Sequence, residues 1–556
     1  MLALSLAPLL LSSLGTAPQE VESTPRAEGK SIEVRSHFVV GTTAPRAIRA
    51  GVDVLERGGT AVDAALTTAL LQTTLCAGCW VSFAGRLTAV VYDAQSGEVV
   101  ALNACYDAPR GEDDPLSIPR QPTPSGRTVL VPGFMAGVEA LRARFGALEF
   151  AELFEPSIRL AEEGFVLDAN LARLIRGKAS VLLRTEAGRA VFTDEAGALV
   201  EAGATFRQPE LAATLRGTAT EGAAHMYEGA WAERFVAAVQ AEGGKLALED
   251  LVAYAPTWQT PIRARFGDTV VHGLPAPNRG GPSTTLALRL GVLAGLESGG
   301  DPVASAVGLR RLAEIERALG VLWRGRGRAA LRELVPGAAV LWEDTFANED
   351  GARALWEGIE SEDWGQVVRR TWGPLPADDH SDAIVAVDAA GNVVALIHTI
   401  NTAGWGTTGL FVGGVSIPDS AASQQAAMAR VGPGGRMPDH GVPLIGTRDG
   451  VPVFASSATG SGNVQASWQN ALRLLAGDLG PSAVADGPNL YAGEVQRGDF
   501  SDETVQAVRA AGFPLGVTER FSGSTRGYWV GARMDPDAGT MHAACLTPLS
   551  GVAVGR

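Results

Sequence analysis

The chain has 556 residues, of which 46% are hydrophobic and 19% are charged, so a large buried core is expected and extensive disorder is not. Its formal net charge of −15 at pH 7 argues against nucleic acid or an anionic membrane surface as a partner. Four cysteines are too few for a disulfide framework, and the redox-type spacing of Cys76 and Cys79 lacks the second pair that a zinc site needs.

The N-terminus is apolar. Residues 2–11 are uncharged and mostly apolar, and small residues follow as far as Ala17. This pattern is typical of a secretory signal peptide, although no basic residue precedes the apolar stretch. We predict a signal peptide over residues 1–17, a flexible segment over 18–37, and a periplasmic or secreted protein without stable membrane insertion. If the apolar stretch is not a signal, the protein is cytoplasmic.

Helical patterns dominate the first part of the chain. A helix over residues 44–58 ends at two glycines, and Thr60 with Asp63 forms a capping-box pattern that opens a second helix reaching about Leu75. The β-prone runs Leu87–Tyr92 and Val99–Asn103 predict a hairpin. Further helices are predicted at about 134–144, 150–163, 208–217, 230–241 and 303–335.

Strand pairs dominate the last third. The predicted pairs are Ala383–Asp388 with Val393–Thr399, Val442–Ile445 with Val451–Ser456, and Thr525–Arg533 with Thr540–Leu546. A helix is predicted over Val464–Leu475. Strand pairs flanked by helices indicate a layered α/β sandwich with antiparallel sheets.

A loop rich in proline and aspartate, residues 373–380, ends where a strand begins, at Ser381. If the bond between His380 and Ser381 is cut, the Ser381 hydroxyl becomes a nucleophile with its own α-amine as base. A free α-amine has a pKa of about 7.7–8.0, close to what a general base needs at neutral pH. A serine at such a junction is, however, more often an ordinary turn residue.

Two groups of neighbours strengthen the nucleophile hypothesis. Thr399 and Asn401 lie at the end of the next strand, which returns beside the first, so both can donate or accept hydrogen bonds near Ser381. Gly460 and Ser461 lie between a strand and a helix, where backbone N–H groups can stabilise an oxyanion. This turn lacks the ending of a phosphate-binding loop, so a nucleotide site is not expected.

Several segments together resemble γ-glutamyltranspeptidases. They are residues 50–65, 90–94, 131–137, 155–165, 275–281, 387–392, 399–401 and 460–461. The resemblance implies an αββα four-layer sandwich of the N-terminal-nucleophile hydrolase type. It also implies self-cleavage of a precursor into a large subunit, 38–380, and a small subunit, 381–556, which stay associated. The implied chemistry is amide hydrolysis or acyl transfer through an acyl-enzyme on a small or peptide-like amide, with no cofactor and no metal.

The sequence departs from the family at its nucleophile and its substrate pocket. The family nucleophile is Thr, whereas Ser381 stands here. The family's arginine, which holds the α-carboxylate of the γ-glutamyl group, is replaced by Cys105, followed by Tyr106. A neutral thiol cannot form the charge-assisted pair that arginine forms with a carboxylate. We therefore predict an amide substrate that is not a γ-glutamyl compound.

Two more pocket positions differ. Asp419 matches the family's amine-binding carboxylate only after a one-residue shift, and Arg86 interrupts the family's glycine-rich stretch. Arg86 could supply a replacement positive charge, or it could be an ordinary surface arginine.

Two other functional hypotheses remain. The protein could be a catalytically inactive relative that binds a ligand or partner in the same cleft, or a thiol enzyme that uses Cys76, Cys79 or Cys105. The choice between hydrolysis and transfer is also open, because water access to the acyl-enzyme decides it.

Overall fold

The computed structural model describes residues 25–322, 348–361, 364, 381–477, 479–546 and 550–556. The predicted signal peptide over 1–17, the last part of the helix predicted over 303–335, and His380 lie outside the described residues. No helix in the described ranges is both long and apolar enough to cross a membrane.

Most of the described strands belong to two large antiparallel sheets, and the others form three small sheets. In chain order they are β1 Ala27–Gly29, β2 Ser31–Val34, β3 Phe38–Gly41, β4 Arg86–Asp93, β5 Glu98–Ala104, β6 Phe165–Val166, β7 Thr205–Phe206, β8 Thr257–Gln259, β9 Ile262–Phe266, β10 Thr269–Gly273, β11 Asp382–Val387, β12 Val393–Thr399, β13 Leu410–Val412, β14 Val415–Ile417, β15 Leu444–Arg448, β16 Val451–Thr459, β17 Leu490–Tyr491, β18 Glu494–Gln496, β19 Gly516–Thr518, β20 Tyr528–Asp535, β21 Thr540–Cys545 and β22 Val552–Gly555. The first sheet has the order β1-β22-β3-β11-β12-β4-β5-β8, and the second has the order β2-β21-β20-β16-β15-β10-β9.

The helices cover the outer faces of these sheets. In chain order the described α-helices are α1 Pro45–Glu56, α2 Ala61–Leu75, α3 Phe134–Phe145, α4 Glu155–Glu163, α5 Ala169–Gly177, α6 Ala179–Leu182, α7 Glu186–Phe192, α8 Pro209–Glu221, α9 Ala224–Tyr227, α10 Ala230–Ala241, α11 Leu248–Val252, α12 Gly280–Leu293, α13 Ala306–Leu322, α14 Glu349–Glu360, α15 Gln425–Val431, α16 Asn463–Ala476, α17 Pro481–Ala485, α18 Asp502–Ala510 and α19 Gly523–Arg526. Short 3₁₀ helices span Pro115–Ser117, Gly126–Thr128, Phe150–Leu153, Pro302–Ala304 and Ser420–Ser423.

Three hydrophobic layers hold the molecule together. Helices α1, α2 and α3 pack on the outer face of the first sheet. The two sheets pack face to face over a second core. Helices α12 and α16 cover the outer face of the second sheet, and α13 and α14 pack on α12. This order of layers is the expected αββα sandwich.

The local predictions hold where sequence patterns are strong. The capping box that opens α2 is formed, with the Thr60 side chain accepting from the Asp63 N–H and the Asp63 side chain accepting from the Thr60 N–H. The predicted helix over 150–163 is divided into a 3₁₀ turn and α4. Pro156 explains the division, since proline is favoured in the first turn of a helix and disrupts its interior.

The flexible segment predicted over 18–37 needs a correction. Residues 27–34 form β1 and β2, which pair with β22 and β21 in the two main sheets. The prediction relied on polar composition and overlooked the alternation of Ser31–Val34, in which Ile32 and Val34 are buried. Residues 27–34 therefore contribute a strand to each of the two main sheets.

Candidate active site

Four neighbouring strands of the first sheet end at the same edge. In the antiparallel register Asp382 lies opposite His398, Thr399 opposite Arg86, and Leu87 opposite Ala104. If the β11–β12 pairing is continued by one residue, Ser381 lies beside Thr399. If the β4–β5 pairing is continued by one residue, Arg86 lies beside Cys105. The strand ends therefore align Ser381, Thr399, Arg86 and Cys105 in one row.

This row faces the second sheet. Alternate residues of a strand share a face, so each member of the row shares its face with residues two, four or six positions along its own strand. Those residues belong to the core between the two sheets: Ala383 and Val385, Val393 and Ala395, Val90 and Tyr92, and Val99 and Ala101. The four side chains therefore lie at the mouth of the space between the sheets.

The residue after the candidate nucleophile is rigidly held. The buried Asp382 carboxylate accepts hydrogen bonds from the hydroxyls of Thr42 at 2.9 Å and Thr43 at 2.7 Å, and from the Trp80 indole N–H at 3.0 Å. Burial raises the pKa of the Asp382 carboxyl. Because Ser381 itself is only partly buried, this anchoring fixes its backbone while its side chain remains accessible.

Thr399 and Asn401 contact each other at the end of β12. Asn401 has φ 53°, in the left-handed region, and its N–H donates to the Thr399 hydroxyl at 3.2 Å. The Asn401 side-chain oxygen accepts from Nε and Nη2 of Arg86, each at 3.1 Å. A left-handed residue two positions after the end of β12 turns the chain sharply, which keeps the Asn401 side chain at the end of the row.

The surface interpretation of Arg86 is wrong. Arg86 is 3% exposed and forms an ion pair with Asp439, which is 1% exposed. Asp439 also accepts from the Asn278 amide at 3.1 Å and from the His440 N–H at 2.7 Å. A buried charge needs such partners to offset its desolvation. Sequence reasoning missed Asp439, because a single aspartate in a loop has no pattern that points to a partner more than 300 residues away.

The glycine turn has the predicted position between β16 and α16, but its donors are partly occupied. Gly460 has φ 87°, and a Cβ there would lie 2.8 Å from the Ser524 carbonyl oxygen, so only glycine fits. The Ser461 N–H donates to the Ser524 hydroxyl at 3.1 Å, and the Gly462 N–H donates to the Ser524 carbonyl at 3.0 Å. Ser524 was not predicted, since it lies in the short helix α19, 63 residues from Ser461 in sequence. It supports the loop that carries the predicted oxyanion donors.

Hydrogen bonds connect this turn to the row on the first sheet. The Asn463 side chain, in the first turn of α16, donates to the His440 carbonyl oxygen at 2.9 Å. His440 directly follows Asp439, the ion-pair partner of Arg86. The glycine turn and the row are therefore joined through one loop.

The remaining predicted pocket residues are buried among protein groups. Asp419 accepts from the hydroxyls of Thr402 at 2.7 Å and Thr407 at 2.6 Å, so it holds the loop that follows Asn401. Tyr106 directly follows Cys105 of the row, and its side chain packs in a small core cluster with Met437. The structure thus places both Asp419 and Tyr106 next to the candidate site, each held by neighbouring protein groups.

The cysteines are buried thiols. Among the described residues Cys76, Cys79, Cys105 and Cys545 are free and buried. Burial raises the pKa of Cys76 to about 12, and it raises the pKa of Cys79 and Cys105 well above the usual range. A thiol needs a lowered pKa and access to solvent to act as a nucleophile. Their environment therefore disfavours the thiol-enzyme hypothesis.

The sequence profile of the γ-glutamyltranspeptidase family matches residues 47–543. The chain belongs to the γ-glutamyltranspeptidase family. Acylase ACY 1 proenzyme of Pseudomonas sp. (strain SE83) is 26% identical over 552 residues, which cover 92% of each chain. Glutathione hydrolase proenzyme of Bacillus subtilis (strain 168) is 30% identical over 273 residues, covering 47% of this chain and 46% of that one.

Structural comparison agrees with the family assignment at the level of fold. The crystal structure of cephalosporin acylase from Bacillus halodurans has a TM-score of 0.76 and 21% identity, covering 96% of this chain and 98% of that chain. The sandwich is thus the N-terminal-nucleophile hydrolase fold. This member of the γ-glutamyltranspeptidase family is an enzyme that acts on amide bonds as a hydrolase or transferase.

Proposed function

We propose that this enzyme is a self-processing amidohydrolase or acyltransferase whose nucleophile is Ser381. The observation that carries the proposal is the strand register, which puts Ser381 beside Thr399 at the mouth of the space between the sheets. Asn401 contacts Thr399, and the turn at Gly460 is linked to the row through Asn463 and the loop that carries Asp439. These are the nucleophile, its positioning groups and an oxyanion loop that acyl transfer needs.

Maturation would begin with the precursor intact. The Ser381 hydroxyl attacks the carbonyl carbon of His380, and the peptide C–N bond breaks to leave an ester on Ser381 and a free α-amine. Water then hydrolyses the ester, giving a new carboxylate on His380 and restoring the hydroxyl. The released α-amine, with a pKa of about 7.7–8.0 in an unperturbed chain, is then available as the general base.

Turnover would use the same atoms. The α-amine of Ser381 takes the hydroxyl proton while the oxygen attacks the substrate amide carbon. Backbone N–H groups of the turn at Gly460 and Ser461 stabilise the oxyanion, after the Ser524 hydroxyl rotates away from the Ser461 N–H. The intermediate expels the amine, which takes the proton back from the Ser381 α-ammonium, and water or a second amine then resolves the acyl-enzyme.

The substrate is proposed to be an amide other than a γ-glutamyl compound. Cys105 is a neutral, buried thiol in the row, and the charge of Arg86 is compensated by Asp439. Neither residue offers a free cation to the α-carboxylate of a γ-glutamyl group. The Asp419 carboxylate is already bonded to two hydroxyls, which leaves it less available to a substrate amine.

A catalytically inactive, ligand-binding relative is the second candidate. The bond between the Ser461 N–H and the Ser524 hydroxyl favours it, because an oxyanion donor should be open to substrate. In that case the same cleft would bind an amide-like ligand without cleaving it.

The intact mass of purified protein separates the two candidates. We expect wild type to give two fragments divided between His380 and Ser381, Ser381→Thr to be processed as well, and Ser381→Ala to remain one chain. Processing of Ser381→Ala at the same bond, or a wild-type chain that stays whole after prolonged incubation, would contradict the proposal.

A further inference from the structure

A buried ion pair lies within the row that contains the proposed nucleophile. Arg86 is the next position after Thr399 across the sheet, and its guanidinium contacts both Asn401 and Asp439. The side chains of Arg86 and Asp439 are 4% and 1% exposed. Ser381 and Arg86 are two strands apart, so their Cα atoms are separated by about 10 Å, which an acyl chain of several atoms can span.

One terminal nitrogen of the Arg86 guanidinium, Nη1, makes no hydrogen bond to the described part of the chain. Nε and Nη2 donate to the Asn401 side-chain oxygen, and Nη2 also contacts Asp439. Nη1 is buried and has no hydrogen-bond partner among the described residues. An unsatisfied buried donor is unfavourable, so a bound group that accepts a hydrogen bond from Nη1 gains free energy.

The charge of Asp439 decides which acceptor fits. The Asp439 carboxylate compensates the positive charge of Arg86. Its other hydrogen-bond donors in the described part of the chain are neutral: Asn278, Thr88 and the His440 backbone N–H. No second cation is therefore hydrogen-bonded to Asp439 among the described residues. A substrate carboxylate on Nη1 would lie within about 4–6 Å of Asp439, where like charges disfavour each other strongly. A carboxamide, hydroxyl or ketone oxygen would accept the same hydrogen bond without that repulsion.

We propose that the Arg86–Asp439 pair determines acyl-group specificity by selecting acyl chains that end in a neutral hydrogen-bond acceptor and rejecting those that end in a carboxylate. This inference rests on the proposed function of Ser381, because the row is an acyl site only if Ser381 is the nucleophile. In this proposal Nη1 of Arg86 donates a hydrogen bond to the end of the acyl group. The Asp439 carboxylate neutralises the arginine, so that the contact favours a neutral acceptor over a carboxylate.

A matched pair of anilides tests the selection. One is the monoanilide of glutaric acid, and the other carries a carboxamide in place of its free carboxylate. We expect wild type to favour the carboxamide by at least about tenfold in kcat/KM, and Asp439→Asn to reverse the preference by a similar factor, because Arg86 then becomes an uncompensated cation. A wild type that prefers the carboxylate, or an unchanged ratio in Asp439→Asn, would overturn the inference.

A remote ion pair supplies the control. Arg473 and Asp301 form a similar pair near the far end of α16, and Asp301→Asn should leave the ratio of the two kcat/KM values unchanged. A change of ratio in Asp301→Asn equal to that in Asp439→Asn would mean that the effect is not local, which overturns the inference.

Binding without chemistry distinguishes this inference from the proposed function. Thermal shifts of the same variants with glutarate and glutaramide need no nucleophile. Wild type should be stabilised more by glutaramide, and Asp439→Asn more by glutarate. This order together with an absence of turnover would reject Ser381 as nucleophile and keep the pair as the specificity determinant, whereas the opposite order in wild type would overturn the inference whatever the activity.

Discussion

At the scale of single residues, the chemistry depends on how firmly neighbours hold Ser381. Asp382 is the nearest of these, with two hydroxyls and one indole N–H bonded to its carboxylate. The sequence could predict that Thr399 and Asn401 lie near Ser381, because one hairpin register decides that. It could not predict that Arg86 is buried against Asp439, since that contact joins segments distant in sequence.

Replacing Asp382 by Asn should destabilise the fold by about 1–3 kcal/mol, because an amide N–H₂ then faces either the Trp80 N–H or the threonine hydroxyls. Chemical unfolding of the two proteins in urea measures the difference. Equal midpoints would show that the three hydrogen bonds do not stabilise the native state.

Asp382 also predicts a pH dependence of stability. Because burial raises its folded pKa above the ordinary value of 3.8, the native state retains the proton more strongly than the unfolded chain. This contribution to stability is present in full below pH 3.8 and is lost as pH rises through the raised pKa. Comparing pH profiles of unfolding for wild type and Asp382→Asn isolates it, and identical profiles would contradict the assignment.

At the scale of elements, local patterns predicted the helices and hairpins well but not their order in the sheets. The β11–β12 hairpin follows from alternation and a glycine turn, and its first strand, Asp382–Val387, is shifted by one residue from the predicted Ala383–Asp388. The pairing of β1 with β22 joins opposite ends of the chain, and no local pattern specifies such a contact.

The turn between β16 and α16 gives a prediction for catalysis. Gly460→Ala would drive a Cβ toward the Ser524 carbonyl, shift the donors of the turn, and lower kcat by about 10²–10³-fold. Gly450→Ala is the matched control, since Gly450 has a similar φ of 81° but nothing within 4 Å of its Cβ position. Steady-state kinetics on any amide that wild type cleaves measures both, and equal losses would mean that backbone strain alone is responsible.

At the scale of the whole molecule, the two proposed subunits are interleaved. In the first sheet β22 lies between β1 and β3, and the pair β11–β12 lies between β3 and β4, so C-terminal strands are inserted among N-terminal ones. All three hydrophobic layers include residues from both parts. Cleavage before Ser381 would therefore leave the layers intact, because it breaks one peptide bond and no strand pairing.

This arrangement predicts that processed fragments stay together. They should elute as one species in size-exclusion chromatography under native conditions and separate only in denaturant. Elution of two separate folded fragments without denaturant would contradict the shared cores.

The central claim is that Ser381 is an N-terminal nucleophile, and locating the acyl group on the enzyme tests it most directly. Wild type is mixed with an activated acyl ester, quenched in acid and mapped by mass spectrometry. We expect a fragment that begins at Ser381 and carries one acyl group on that residue's hydroxyl. An uncut chain, or an acyl group on Cys76, Cys79 or Cys105 instead, would contradict it.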